Sequence, residues 1–335
     1  MAKYILDVKR GQANTAGVKA KEDITDILTR NGFEKLLFQV RDNRFLKLMM
    51  TELDWKKSLS EVIDGDTIIL QYPMYSRFAG KTFFKVVNKK KLNINKIVII
   101  HDIESLRLYK DNDRMVKEEL NFLNMFDCLI VHNNKMKIWL QQNGITKKMV
   151  ELKVFDYLSN SEIIDSSMEK PIIFAGNLKK SKFLEKLNIE KRVNLFGIMP
   201  SDSYPKNIKY NGVKSPEELP LFLDGSFGLV WDGNSIETNN GIYGEYTRYN
   251  NPHKVSLYLS SGLPVIMWKE AALAQYVIDN NVGIVVDNLK NLDAILNSIS
   301  EETYNDMKAN VDNLSKKMRD GYNTKNAVNL AMSRL

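Results

Sequence analysis

Short apolar runs alternate with longer amphipathic stretches from one end of the chain to the other, the pattern of parallel strands buried on both faces and wrapped by helices. In the first half, Tyr4 to Val8, Leu36 to Val40, Thr67 to Leu70, Lys96 to Ile100 and Cys128 to Val131 are apolar or nearly so, and each predicts a strand. Between the first two, residues 16–30 set Val18, Ile24, Ile27 and Leu28 on one helical face, and Asn31-Gly32 supplies the stop. A looser tract rich in Ser, Asp and Glu, Asp156 to Lys170, precedes Pro171 and predicts the domain junction. A second series follows, with strands at Ile172 to Ala175, Val193 to Phe196, Phe227 to Trp231, Pro264 to Met267 and Gly283 to Val286. Its helices are expected at Lys180 to Leu187, Pro216 to Leu223, Lys254 to Ser261, Ala271 to Asn280 and Leu289 to Ile299, and Glu301 to Leu335 reads as polar helix. The reading is α/β, with Rossmann-like domains over 1–158 and 159–315 and a closing helical segment, 316–335, that packs back on the first.

Composition adjusts this picture in few places. A chain of 335 residues, 44% hydrophobic, is long enough for two cores. Lys+Arg 48 against Asp+Glu 41 gives +7, which suits a phosphorylated ligand or an anionic membrane surface. Nucleic acid is excluded for want of a basic helix, zinc-ligand spacing or an interleaved aromatic-basic patch. The lone cysteine, Cys128, lies in an apolar run, so it reads as a small buried hydrophobe in a reducing, cytoplasmic compartment. Charges at Lys3, Asp7, Lys9 and Arg10 interrupt any secretory leader, and no apolar run approaches the about 18 residues that span a bilayer. The clusters Lys89-Lys90-Lys91 and Lys147-Lys148 read either as solvated helix ends or as contacts to anionic headgroups at the inner membrane face.

Candidate chemistry gathers where strands end, because loop amides and helix N-termini converge there. Of the three histidines, His101 and His132 directly follow strands and His253 opens a helix. Asn250 to Ile266 reads as loop, helix, tight glycine turn and buried strand. Lys254 puts an ammonium in the first turn of that helix, against the helix dipole, a placement that an anion such as a diphosphate would rationalise. A snorkelling surface lysine is the plainer alternative. At Ile173 to Ser181, Gly176 allows close backbone approach, Asn177 turns the chain, and Lys179 and Lys180 offer a second cationic clamp. The strand from Phe227 ends at Asp232-Gly233, before a long polar loop carrying Glu237, Tyr243, Glu245, Tyr246, Arg248 and Tyr249.

These motifs resemble the bacterial GT-B glycosyltransferases, two Rossmann-like domains with parallel sheets facing a cleft, and among them the β-1,6-galactofuranosyltransferases of O-antigen and capsule synthesis. The resemblance runs through Thr15 to Lys21, Ile100-His-Asp-Ile-Glu104, Val131-His-Asn133, Phe155 to Leu158, Ala175 to Leu178, Gly228 to Gly233, Ser235 to Thr238 and Asn250-Asn-Pro-His-Lys-Val-Ser256. The streptococcal glucosyltransferases that act on serine-rich adhesins look similar around His101-Asp102 and Lys254 but diverge between Glu237 and Asn251. The resemblance implies that Lys254 and Lys180 hold the diphosphate of a UDP-sugar and that Lys214 borders the uracil. It implies too that Thr15, Ala16 and Gly17 close over the donor. Gly176, Asn177, Asp232, Tyr246, His253 and Ser256 complete the implied donor set. Where many retaining relatives carry two glutamates eight positions apart, this chain has Tyr249 and Leu257, which favours inversion. Asp102, beside His101, is the expected base for the acceptor hydroxyl, with helix capping as the alternative reading and Glu237 and Glu245 in reserve. The cations stand in for a metal, so no metal or other cofactor is expected. The acceptor is expected to be a glycan, lipid-linked or carried on an adhesin, and the oligomeric state is left open, a homo-oligomer included. A sugar-nucleotide-binding subunit without catalysis is the rival of another class.

Overall fold

The computed structural model of the chain describes residues 1–9, 16–41, 43–74 and 76–335. Two compact units divide it: Met1–Ala13, Lys21–Leu152 and Thr324–Leu335 form the first, and Asn14–Ala20 with Lys153–Asn323 form the second. The division falls just ahead of the junction read from composition, and the chain's end returns to the first unit, where Arg334 Nη1 donates to Met149 O at 2.9 Å.

The first unit follows the order β1 (Lys3–Lys9), α1 (Ala16–Arg30), β2 (Glu34–Gln39), α2 (Arg44–Ser58), β3 (Thr67–Tyr72), α3 (Arg77–Lys89), β4 (Asn95–Ile100), α4 (Asp113–Leu123), β5 (Cys128–Val131), α5 (Asn134–Gln142) and β6 (Lys148–Glu151). Its strands pair in parallel in the order β2-β1-β3-β4-β5-β6. Every residue of β3 and β5 is buried, as an apolar run covered on both faces requires. Trp55 anchors the α2 side, stacked on Phe38 at 3.9 Å with its indole N–H given to Ala79 O at 2.9 Å, so its one polar atom is paired.

The second unit continues with β7 (Ile172–Ala175), β8 (Val193–Phe196), β9 (Ile208–Tyr210), β10 (Gly228–Val230), α6 (Gly241–Tyr246), α7 (His253–Ser261), β11 (Val265–Trp268), α8 (Ala274–Asp279), β12 (Gly283–Val286), α9 (Leu292–Asn297) and α10 (Glu301–Arg319), after which α11 (Tyr322–Met332) belongs to the first unit from Thr324 on. The parallel order here is β12-β11-β10-β7-β8-β9. Gly262 closes α7 at φ +94°, a left-handed cap that lets β11 begin at once. α10 lies along α7, with Ser315 Oγ and Arg319 Nε both donating to Ser260 O at 2.6 and 2.7 Å. Strand order reverses between β1 and β3 in the first sheet and between β7 and β10 in the second, and ligands of doubly wound sheets bind at such switch points.

Several expected elements differ. In place of the α-helix expected over 180–187 the chain forms 3₁₀ turns at Leu178–Lys180 and Lys182–Lys186, because Gly233 N donates to Lys180 O at 2.8 Å and Phe183 N donates to Gly233 O at 3.1 Å. Those bonds occupy backbone groups that an α-helix would use internally. The expected helix over 216–223 shrinks to a turn at Leu219–Phe222, with Pro220 inside it. The closing helix breaks at Gly321, φ +76°. Strands β6 and β9 sit at sheet edges, and their Lys148 and Lys209 break the apolar signature of a buried strand. Among the described residues no helix is long and apolar enough to cross a membrane.

Candidate active site

The switch point of the second sheet brings together the carboxyl ends of β7 and β10 and the start of α7. Gly176 follows β7 at φ +156°, and a Cβ there would meet the Cε of Lys254 at 3.0 Å. The glycine thus opens the channel through which the lysine reaches the strand ends. Behind it Gly197 approaches so closely that a side chain would lie 1.7 Å from Gly176 O. The Lys254 ammonium donates to Asp232 Oδ1 at 2.7 Å and to Trp231 O at 3.2 Å, and stands 4.6 Å over the Phe174 ring. The side chains of the pair are only 15% and 16% exposed, so this is a largely desolvated ion pair rather than a snorkelling surface lysine. Ser181 Oγ adds a hydrogen bond to the same carboxylate oxygen at 3.3 Å.

Around this pair the chain is held by groups that the pattern of the sequence does not single out. Asn239, buried, accepts from Asp232 N at 3.0 Å and donates to Thr247 Oγ1 at 3.2 Å, fixing the start of the polar loop to its end. Asn240 Nδ2 donates to Asn234 Oδ1 at 2.6 Å. Tyr258 on α7 accepts from Ala175 N at 2.8 Å and so ties the lysine's helix to β7. The Asn-Asn pair at 239–240 is the one signal in the sequence that could have flagged this loop.

The other expected donor residues are distributed unevenly. Asn177 caps the turn at Leu178–Lys180 by accepting from Lys179 N, and the Lys180 ammonium lies 3.8 Å over the Tyr243 ring. Lys214 stands over Phe222 at 3.9 Å, in the loop after β9. The side chains of Tyr246 and Ser256 are buried inside the unit, and His253 is half-buried at the start of α7. His253 packs on Phe155 with ring centroids 4.5 Å apart. Helix geometry explains this, since the first turn of α7 points Lys254 toward the strand ends and turns His253 toward the core. Thr15 lies outside the described residues, while Ala16 opens α1 and Gly17 is exposed.

Burial pushes the His253 imidazole down to about 4 from its ordinary 6.5. Between those values the unfolded chain binds a proton that the folded chain does not, so stability falls as pH drops through this window and is unaffected above it. The loss should reach about 3 kcal/mol at the acid end. Chemical denaturation between neutral and acid pH checks it: the slope should flatten in His253→Phe, whose ring keeps the stack on Phe155.

In the first unit His101 is buried where β4 ends, its Nε2 2.8 Å from Gln71 Oε1, and Gln71 donates onward to Lys21 O and Thr25 Oγ1, both at 3.1 Å. Gln71 therefore receives the Nε2 proton of His101. His132 is likewise buried, 3.0 Å from Ile100 O. Asp102, partly exposed, meets Arg107 Nη1 at 3.1 Å, and Arg107 also grips Glu104. The amides of Glu104 and Ser105, which a capping Asp102 would take, are accepted by Glu119 at 3.1 and 2.6 Å. Tyr72 donates to the same buried carboxylate at 2.5 Å, which pushes the phenol far above its usual range through burial and the adjacent charge. Lys21 is lowered to about 8 by burial, against the pull of Asp102. A cavity of about 180 Å³ within this unit is lined by Tyr72, Arg77, Lys81, Glu104, Tyr109 and Phe122, among others.

Glu237 and Glu245 are engaged elsewhere. Glu237 pairs with Lys290 at 2.5 Å on the surface, and that hydrogen bond holds its carboxyl below the usual range. Glu245 pairs with Arg248 at 3.0 Å, which also meets Glu270 and lies 4.4 Å from the Trp268 ring. The chain has two Asp-x-Asp triplets, both in the first unit. In one, Asp64 and Asp66 accept from backbone amides of Asn93, Ala2 and Ile63, and in the other, Asp111 and Asp113 flank Asn112, the cap of α4.

Fold comparison places this architecture beside an α-glucosyltransferase (AGT) in complex with UDP, with a TM-score of 0.61 at 12% identity, covering 100% of this chain and 99% of that one. The fold is that of the GT-B class, two Rossmann-like α/β domains. Models of the glucosyltransferase 3-like N-terminal and C-terminal domains match residues 2–154 and 172–331. The chain is 30% identical to the β-1,6-galactofuranosyltransferase WbbI of Escherichia coli (strain K12) over 95% of its own length and 94% of the relative's. It is 27% identical to glucosyltransferase 3 of Streptococcus gordonii, over 91% of each. The chain belongs to the glucosyltransferase 3-like family and is a glycosyltransferase.

Proposed function

We propose that the protein transfers galactofuranose from UDP-galactofuranose, with inversion, to a hydroxyl of a glycan acceptor, forming a β-1,6 linkage in cell-surface polysaccharide synthesis. The observation that carries the donor site is the desolvated Lys254–Asp232 pair at the β7–β10 switch point. A diphosphate seated against Gly176 and the first-turn amides of α7 would draw the ammonium from Asp232 to itself, an exchange of partner that buries no new cation. Lys180, leaving the Tyr243 ring, supplies the second charge. As the acceptor oxygen attacks the anomeric carbon, its proton passes to Asp102, and the bond from that carbon to the β-phosphate oxygen breaks with both electrons going to UDP. The two lysines neutralise that developing charge. The cavity of the first unit, which includes Glu104 two residues after Asp102, suits the acceptor sugar.

The choice of galactofuranose follows the relative at 30% identity. Transfer of glucose from UDP-glucose is the second reading, favoured by the matching domain models and the streptococcal relative. UDP release measured with both donors and a glycan acceptor separates them. UDP-galactofuranose should give the higher kcat/KM, by about tenfold or more, whereas a preference for UDP-glucose would transfer the assignment to the second reading. The lysine clamp also implies that calorimetric UDP binding persists in excess chelator. Loss of that binding on chelation would overturn a metal-free clamp.

A further inference from the structure

Helix α2 carries an apolar row on the side turned away from its core contacts. Thr51 and Trp55 face inward, while Phe45, Met49 and Leu53, each four residues from the next, are 69%, 59% and 51% exposed, with Leu46 and Leu48 beside them. A row at this spacing would ordinarily be core, and here nothing within the described residues of the unit covers it. The row continues in charge. Lys56, eleven residues after Phe45 and so on the same strip, is 3.4 Å from Glu52, and α3 sends Lys85 and Lys89 to the same carboxylate at 2.9 and 2.7 Å. Three ammonium groups around one carboxylate leave a net positive rim, which Lys57 and the rest of the Lys89-Lys90-Lys91 cluster extend. A second copy of this chain would bring the same positive rim against itself, whereas an anionic bilayer offers both an apolar layer for the row and phosphates for the lysines.

We propose that α2 docks the protein on an anionic lipid surface, with Phe45, Met49 and Leu53 entering the headgroup–acyl boundary and Lys56, Lys85 and Lys89 meeting lipid phosphates. Attraction of each lysine to the surface and burial of the row act together, as stable peripheral binding requires. The proposal does not depend on the donor-site reading. Cosedimentation of the full chain with vesicles of phosphatidylcholine plus phosphatidylglycerol, and with phosphatidylcholine alone, tests it. Binding should require the anionic lipid and weaken about tenfold or more in the triple variant Phe45→Ser, Met49→Ser, Leu53→Ser. Replacing Lys85 and Lys89 by Gln should weaken it further at low salt and matter less at high salt. The altered side chains are exposed, so an unchanged melting temperature and normal UDP affinity should accompany the loss. Failure of the wild type to bind anionic vesicles, or equal binding by the triple variant, would overturn the proposal. So would sedimentation equilibrium showing a wild-type dimer that the triple variant dissolves, because the face would then belong to a second copy.

Discussion

Replacing Asp102 with Asn should abolish most transfer to acceptor while leaving UDP affinity near that of the wild type. The amide keeps the size of the side chain but cannot take the acceptor proton, and general-base catalysis typically contributes about 100 to 10,000-fold. A purely structural role would give a different signature. Capping of the following turn is done by Glu119, whose carboxylate accepts from Glu104 N and Ser105 N, so Asp102→Asn removes no cap there. Its partner Arg107 keeps Glu104 at 2.6 Å, and a partly exposed ion pair such as Asp102–Arg107 contributes about 1 kcal/mol or less. The melting temperature should therefore hardly move while kcat collapses. A variant with near-normal turnover per folded molecule would remove Asp102 from the chemistry.

Lys254→Met should lower kcat/KM by about a hundredfold, since a charge-assisted bond to the leaving diphosphate is worth up to about 3 kcal/mol. Methionine fills the same channel beside Gly176 and Phe174 without the charge. Asp232, left without its ammonium, keeps Ser181 at 3.3 Å and some contact with solvent, so the fold should persist with a modest drop in melting temperature. Steady-state kinetics on the folded variant reads the effect. Full activity would show that Lys254 serves only to pair Asp232.

Much of this arrangement was legible in the sequence, for identifiable reasons. Strands buried on both faces leave apolar runs that nothing else in the chain imitates, which is why β3, β4, β5, β7, β10 and β11 could be read directly. Edge strands β6 and β9 carry no such mark, because one side of each is solvated. Lys254 and Gly176 stood out because a cation at a helix start and a glycine at a strand end are each locally unfavourable without a reason. Asn239, Ser181 and Tyr258 did not, since their roles depend on which backbone group a distant loop or strand offers. The contact of His253 with Phe155 was equally out of reach, because it depends on how α7 is rotated against a distant segment. The apolar row of α2 was hidden because its spacing is that of an ordinary core face.

The central claim is that the nucleotide diphosphate is held at the β7–β10 switch point of the second unit. Two-dimensional amide NMR of the isotope-labelled chain during titration with UDP, in the presence of chelator, tests it most directly. Signals of Gly176, Asn177, Lys180, Gly233 and Lys254 should shift together and saturate with a single dissociation constant. Unmoved signals at these residues, with shifts gathered instead around Tyr72, Arg77 and Glu119 of the first unit, would contradict the account.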